Sequence, residues 1–275
     1  MERNRETEVL LLERMKRWAE MTWTDIESLV AEDPVAVLPT GSVEQHGPHL
    51  PLGTDYFIPL ALGDRALRGI PESVGCRLVS LPPLTYTHAP HSNPWPGTAN
   101  LDGTTLTRVA RDLIGELGRQ GVRRIAILNG HMESQAFLWE GARLGRRGGS
   151  WVTLINWWDL VPGALVEDLF GDAWVGWELE HAALVETALM MALRPELVRE
   201  ERTPREDSPL VRPYRSLPPE ALTLPRSGSF APTAGASAEI GERIAGAICD
   251  GLIDALGNIA ESPAPPSPTA KGDRR

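Results

Sequence analysis

The chain has 275 residues and carries 27 Lys and Arg against 37 Asp and Glu, a net charge of −10. That length allows one large or two small domains, and the negative field opposes a non-specific grip on nucleic acid or an anionic membrane, leaving cations and neutral or cationic small molecules as better partners. Apolar residues make up 42%, an ordinary share for a soluble domain, and no apolar run is long enough to span a bilayer.

The opening stretch, Met1 to Trp18, mixes Glu2, Arg3, Arg5, Glu6 and Glu8 with a short apolar patch at Leu10 to Leu12. It lacks the apolar region of a secretory signal, so a cytoplasmic location is expected, and residues 1–33 are read as a helical N-terminal segment. Cys76 and Cys249 stand far apart without CxxC spacing, which argues against a disulfide framework and a thiolate zinc site. Any metal is then held by His and carboxylates.

Short apolar runs at Pro34 to Leu38, Arg77 to Leu81, Arg124 to Leu128 and Trp151 to Ile155 are too continuous for a one-sided sheet and predict buried parallel strands. Helical patterns alternate with them: Phe57 to Arg68, then Thr104 to Arg119 with Leu106, Val109, Leu113, Ile114 and Leu117 on one face, then Gln135 to Leu144. A further helix is predicted over Glu180 to Leu193, almost wholly apolar apart from Glu180, His181, Glu186 and Thr187. Arg194 to Ser229 lacks periodicity and reads as a long surface excursion or oligomer arm. Ala238 to Ile259, with Ser237 as N-cap, is the last predicted helix, and residues 262–275 form a Pro-rich tail expected to be disordered. Strand alternating with helix implies a single-domain α/β sandwich over residues 34–261, with a mainly parallel central sheet flanked by helices.

Chemistry-bearing residues gather after the predicted strands, where α/β proteins place ligands. The segment Gly41 to Asp55, GSVEQHGPHLPLGTD, holds Glu44, His46, His49 and Asp55. In extended backbone Glu44 and His46 point the same way, although solvated loop residues and an N-cap role for Asp55 account for this set equally well. NGHMES, from Asn129 to Ser134, repeats the alternate spacing with His131 and Glu133. Imidazole plus carboxylate suits Zn²⁺ or Mn²⁺, and if two such sets at the ends of two parallel strands converge on one crevice, a pair of ions sharing a carboxylate is the simplest arrangement. Trp157, Trp158 and Asp159 follow the Trp151 run, and GWELEH leads from Gly176 to His181. Core packing accounts for most of the nine Trp. Glu186 differs, because a carboxylate in an apolar helix needs a polar site beneath it. His181 is read as a proton carrier, with a backbone-bonded structural His as its rival. GxSxG, GxxxxGK[ST] and GxGxxG are all missing, which sets serine-triad, P-loop and Rossmann chemistry well behind.

GSVEQHGPHLPLGTD, WPGT at Trp95 to Thr98, NGHMES and GWELEHAALVETALMMAL together resemble the creatininase (creatinine amidohydrolase) family over roughly Pro34 to Leu193. The resemblance implies a homohexamer and two divalent ions, Zn²⁺ and/or Mn²⁺. It implies that Asp55 bridges the ions, that Glu44 and His131 complete one, and that His46 and Glu133 complete the other. It further implies proton transfer by His181, substrate positioning by Trp158, a mobile segment at Trp177 and Glu178 over the substrate, and a supporting role for Glu186 behind the ligands. The implied reaction is hydrolysis of a cyclic amide such as creatinine by a metal-bound hydroxide. Three departures bear on specificity: Met132 stands where creatinine-cleaving members have Tyr, the loop Thr87 to Thr98 is shorter and less glycine-rich, and Glu178 replaces Asp. Cleavage of a linear amide or formamide, and a catalytically silent metal-binding scaffold, are the alternatives.

Overall fold

The computed structural model describes residues 16–75, 77–146, 150–204 and 225–263. Among the described residues five strands form one parallel sheet: β1 (Lys16–Arg17), β2 (Val35–Thr40), β3 (Leu78–Ser80), β4 (Arg124–Asn129) and β5 (Trp151–Asn156), in the order β1-β3-β2-β4-β5. The helices are α1 (Trp23–Ala31), α2 (Thr54–Gly69), α3 (Gly103–Arg119), α4 (Gln135–Gly145), α5 (Gly163–Phe170), α6 (Leu184–Leu193) and α7 (Ala238–Glu261), with a single turn at Glu72–Gly75.

Alternation along the strands builds two cores. Val35 and Val37 of β2, with Ala126 and Leu128 of β4, face α2, α6 and α7 through Ile58, Leu62, Val185, Leu189, Ile244, Ile248 and Leu252. Ala36, Leu38, Ile125 and Ile127 face the other way, onto α1, α3 and α4 through Leu29, Leu106, Ile114 and Leu138. Both faces of the sheet are thus covered, as a parallel sheet requires. Each fully buried Leu or Ile contributes about 1.5–3 kcal/mol relative to exposure.

The start of α1 is set by a capping box between Thr22 and Asp25, that of α3 by Asp102 accepting from Thr104 N–H at 2.8 Å, and that of α7 by Ser237.

Several elements differ from the sequence expectation. Lys16–Arg17 pairs with Val79 and Ser80, so the segment before β2 is not wholly helical and is tied to the sheet. Leu113 is exposed, and Leu106, Ala110, Ile114 and Leu117 form the buried stripe of α3. Helix α6 begins at Leu184, leaving Glu180 and His181 outside it. Ala182 adopts a left-handed φ of 51°, and the Glu180 carboxylate accepts from the Val185 and Glu186 N–H groups at 2.6 and 3.0 Å, capping the helix from upstream. Helix α2 starts at Thr54, which puts Asp55 in its first turn rather than at the N-cap. Within Arg194 to Ser229, residues 205–224 lie outside the described residues, as do 264–275 of the tail and most of the Met1 to Trp18 stretch. No described helix is long and apolar enough to cross a membrane.

Candidate functional site

The order β3-β2-β4 makes the chain leave β2 toward one side of the sheet and return on the other, and crevices form outside the strand ends at such a switch. A polar chain fixes those ends. Thr40 Oγ1 donates to Asn129 Oδ1 at 3.2 Å, Asn129 Nδ2 to Asn156 Oδ1 at 2.9 Å, and Asn156 Nδ2 to Asp159 at 2.8 Å. Asn129 Oδ1 also accepts from the His131 N–H at 3.1 Å, aiming the residue that follows β4.

The first turn of α2 lies directly on these ends. A Cβ on Gly130 would sit 1.9 Å from the Asp55 carbonyl oxygen, and one on Gly41 would sit 2.4 Å from it, so neither position admits a side chain. Pro59 has no N–H to offer that carbonyl, its usual i−4 partner, so the helix leaves the Asp55 backbone free at the point of contact.

Asp55 is the hub. Its Oδ1 is 3.1 Å from His46 Nε2, its Oδ2 is 3.0 Å from His131 Nδ1, and Ser42 Oγ donates to Oδ2 at 2.6 Å. Glu44 Oε1 is 3.0 Å from the same His131 nitrogen, yet it is buried without a hydrogen-bond partner. Glu186 Oε2 lies 3.6 Å from His46 Nε2 and accepts from Ala182 N–H at 2.6 Å. The donor atoms of Glu44, Asp55 and His131, and those of His46, Asp55 and Glu186, fall within 4.8 Å of one another, as do those of Glu44, His46 and His181.

Both imidazoles are held from behind. His46 Nδ1 donates to the Glu44 carbonyl at 3.2 Å, and His131 Nε2 donates to the His88 carbonyl at 2.9 Å. Each therefore presents its other nitrogen to the carboxylates. Burial resists charge throughout the group, but pairing overrides it at four residues. Asp55 and Glu186 raise His46 to about 10, and Glu44 and Asp55 raise His131 well above its ordinary value. His46 and His131 in turn hold Asp55 well below the usual carboxylate range, and His131 lowers Glu44. Burial wins at Glu186, pushed up to about 8, and burial followed by His46 pushes His181 down to about 4.

The remaining sequence candidates are placed differently. Glu133 points away from this group: its Oε1 accepts from His91 Nδ1, and its Oε2 is 3.8 Å from the far nitrogen of His131. His181 stands 4.5 Å from His46, ring to ring, and Gln45 Nε2 is 2.8 Å from its Nε2. Trp158 is buried edge-on against Trp157, which meets Trp177, which meets Trp174, so these aromatics form a continuous wall. Met132 is partly buried against the same core, and Glu178 is exposed. His49 is buried beneath the site, its Nε2 2.8 Å from Thr187 Oγ1 on α6.

Sequence reasoning missed Gln45, Ser42, His91 and the capping role of Glu180. Gln45 stands between Glu44 and His46, so an alternation argument directs it away from them. The segment is irregular rather than a strand, and alternation does not govern it. Ser42 lies within the Gly41 to Asp55 segment and His91 within the Thr87 to Thr98 loop, but nothing in their spacing marks the partner of either, Asp55 or Glu133.

The model of the creatininase family, described as creatinine amidohydrolase, matches residues 19–256. Creatinine amidohydrolase from Pseudomonas putida is 34% identical over 251 residues, covering 86% of this chain and 94% of the relative. Mycofactocin precursor peptide peptidase from Mycolicibacterium smegmatis is 28% identical over 237 residues, covering 81% and 84%. Among solved structures, one described as a manganese creatininase superposes with a TM-score of 0.81 at 33% identity, covering 90% of this chain and all of the other. A mutant creatininase described as Zn–Zn type gives 0.79 at 33% identity, covering 90% and 98%. The chain is a hydrolase, and it belongs to the creatininase family.

Proposed function

We propose that this hydrolase uses two divalent ions, Zn²⁺ and/or Mn²⁺, to open a cyclic amide such as creatinine. The observation that carries the reading is the buried Asp55 hub, with an imidazole nitrogen turned toward each of its oxygens. Glu44 Oε1 fits a cation, because it is buried without a well-aligned hydrogen bond, the nearby His131 Nδ1 is shared with Asp55, and a metal ion relieves that cost. The donor set, imidazole and carboxylate without thiolate, suits Zn²⁺ or Mn²⁺.

In this reading Glu44, Asp55 and His131 hold one ion, and Asp55 and His46 hold the other. Glu133 joins the second on the strength of the family motif, since its own carboxylate rests on His91. Ions bound there supply Lewis acidity toward an amide carbonyl and lower the pKa of water. His46 and His131 keep their backs to backbone carbonyls, which fixes the nitrogen each offers. His181 moves the proton that a departing amide nitrogen requires. Trp158, Trp177 and Met132 supply the apolar wall against which a small ring packs, with Glu178 at the rim. Glu186, held by the Ala182 N–H, faces the same His46 Nε2 that is turned to Asp55, so it borders the second set from the front rather than backing the ring.

A homohexamer accords with the apolar surface left at Leu113, Trp139, Leu144 and Trp151 on α3, α4 and the edge strand β5. Cytoplasmic location follows the sequence reading.

The test is creatinine ring opening by the purified protein before and after chelation, with Zn²⁺ and Mn²⁺ restored separately. Turnover that is lost on chelation and recovered with metal is the expected result. Stoichiometric metal binding with creatinine untouched would reject the substrate and move the search to other lactams and linear amides.

A further inference from the structure

Beside the site lies a cavity of about 520 Å³ that the reading above leaves unused. Its walls come from three separate stretches of chain. Gln45, Gly47, Pro48 and Leu52 follow β2, Trp95 and Pro96 belong to the loop before α3, and Pro204, Arg226 and Ser227 belong to the region before α7. Trp95 Nε1 donates to the Arg226 carbonyl at 3.3 Å, joining two of these stretches across the rim.

Two features give the cavity a chemistry. Its described lining is mostly apolar, from Leu52, Trp95 and three prolines, while Arg226 is the single charged residue among the described residues lining it. In a chain of net charge −10 a cation at a pocket whose other described walls are uncharged is a local reversal of the field. Arg226 is exposed and forms no ion pair among the described residues, so its guanidinium is available to an incoming carboxylate. The floor is Gln45, whose amide is the group that meets His181, so the cavity and the hydrolytic residues share a side chain. The volume falls in the range of about 300–1,000 Å³ typical of sites for drug-sized ligands, well beyond what a ring of creatinine's size fills.

We propose that this cavity is a substrate subsite that binds the apolar body and the carboxylate of an amide acid, with Arg226 as the carboxylate's partner. The inference rests on the amide-hydrolase reading for its purpose, and it extends the substrate class beyond creatinine to larger amides that carry a carboxylate. Leu52 and Trp95 take the apolar body, and the amide end lies toward Gln45 and His181.

The test is calorimetric titration of the purified, metal-loaded chain with N-acetylphenylalanine and with its uncharged carboxamide, at neutral pH and two salt concentrations. The acid is expected to bind at least about tenfold tighter than the carboxamide, with the advantage shrinking at high salt. Arg226→Ala removes the preference and Arg226→Glu reverses it. Both substitutions fall at an exposed position, so the fold tolerates them. Equal affinity for the two probes, binding of neither, or a preference that survives Arg226→Glu would each overturn the subsite, the last because it would assign the carboxylate to the metal ligands instead. Chromatography of the titrated samples for released phenylalanine reads turnover separately from binding. A chain that prefers the acid through Arg226 but hydrolyses no amide keeps the subsite and loses the hydrolytic reading, whereas creatinine turnover without the preference does the reverse.

Discussion

Gln45 and His181 meet with their Nε2 atoms 2.8 Å apart, and the polarity of that contact is fixed by the backbone around it. Gly47 N–H donates to Gln45 Oε1, and Gln45 Nε2 donates to the Gly228 carbonyl, each at 3.0 Å. The atom facing His181 is therefore an N–H donor, so His181 Nε2 accepts and the neutral ring carries its proton on Nδ1. A charged His181 would set two donors against each other, which works in the same direction as the burial that pushes it down to about 4.

Replacing Gln45 by Leu removes this choice of tautomer and leaves both proposed metal sets intact. Turnover should fall by about 10–100-fold, the range seen when an orienting partner is lost, while metal content stays at the wild-type value. Steady-state kinetics paired with elemental analysis checks both halves. Unchanged turnover would remove Gln45 from the proton path.

Metal removal tests the hub. Ions that bind only the folded chain stabilise it by mass action, by about 4 kcal/mol at a thousandfold excess over Kd. Chelation should lower Tm, because the closely packed Glu44, Asp55 and Glu186 are then left with only His46 and His131 as counter-charges. His46→Ala should hold one ion fewer per chain and show a smaller Tm loss on chelation. Scanning calorimetry with metal analysis reads both, and a His46→Ala protein with full metal content would undo the ligand assignment.

Much of this arrangement was legible in the sequence because it depends on period and position. The Val35 and Ile125 runs are strands buried on both faces, and Glu44, Asp55 and His131 do converge, since loops at neighbouring strand ends share a crevice. What escaped depends on single backbone events. The φ of 51° at Ala182 cuts Glu180 and His181 out of an unbroken apolar pattern. Leu113 follows the apolar composition of α3 but lies off its stripe, about 100° from Ile114, which is the angle between adjacent residues on a helix. Glu133 shares a motif with His131, yet the partner that holds it, His91, comes from a loop more than a strand away in sequence.

The close approach of α2 to the strand ends predicts opposite signs at two glycines. Gly130→Ala brings a Cβ to 1.9 Å from the Asp55 carbonyl oxygen and 2.8 Å from Pro59 Cγ, and it should cost about 1–3 kcal/mol or more by overpacking. It should also weaken metal binding, because Asp55 has to move. Gly246, within α7, would place a Cβ with nothing inside 4 Å, so Gly246→Ala should stabilise by about 0.4–1 kcal/mol. Urea denaturation of the two variants measures the contrast, and similar midpoints would refute the contact.

Glu180 gives the stability a pH dependence whose sign can be worked out. Burial pushes its carboxyl up to about 7, against the lowering pull of the Glu186 and Val185 N–H groups that it caps. The folded chain thus holds this proton more tightly than the unfolded chain, where the ordinary value of 4.5 applies. The resulting contribution to stability is fully present below about pH 4.5 and is lost as pH rises through about 7. Glu180→Gln keeps an acceptor oxygen for the end of α6 and carries no charge to bury. It should be more stable than the wild type at pH 8, with the advantage narrowing as the pH falls toward 5, whereas Glu180→Ala should lose about 0.5–2 kcal/mol at both values as an uncapped helix end. Urea midpoints of the three proteins at pH 5 and 8, under matched metal conditions, decide it. A Gln variant less stable than the wild type at pH 8 would mean that the charged carboxylate holds the helix end better than its burial penalises it.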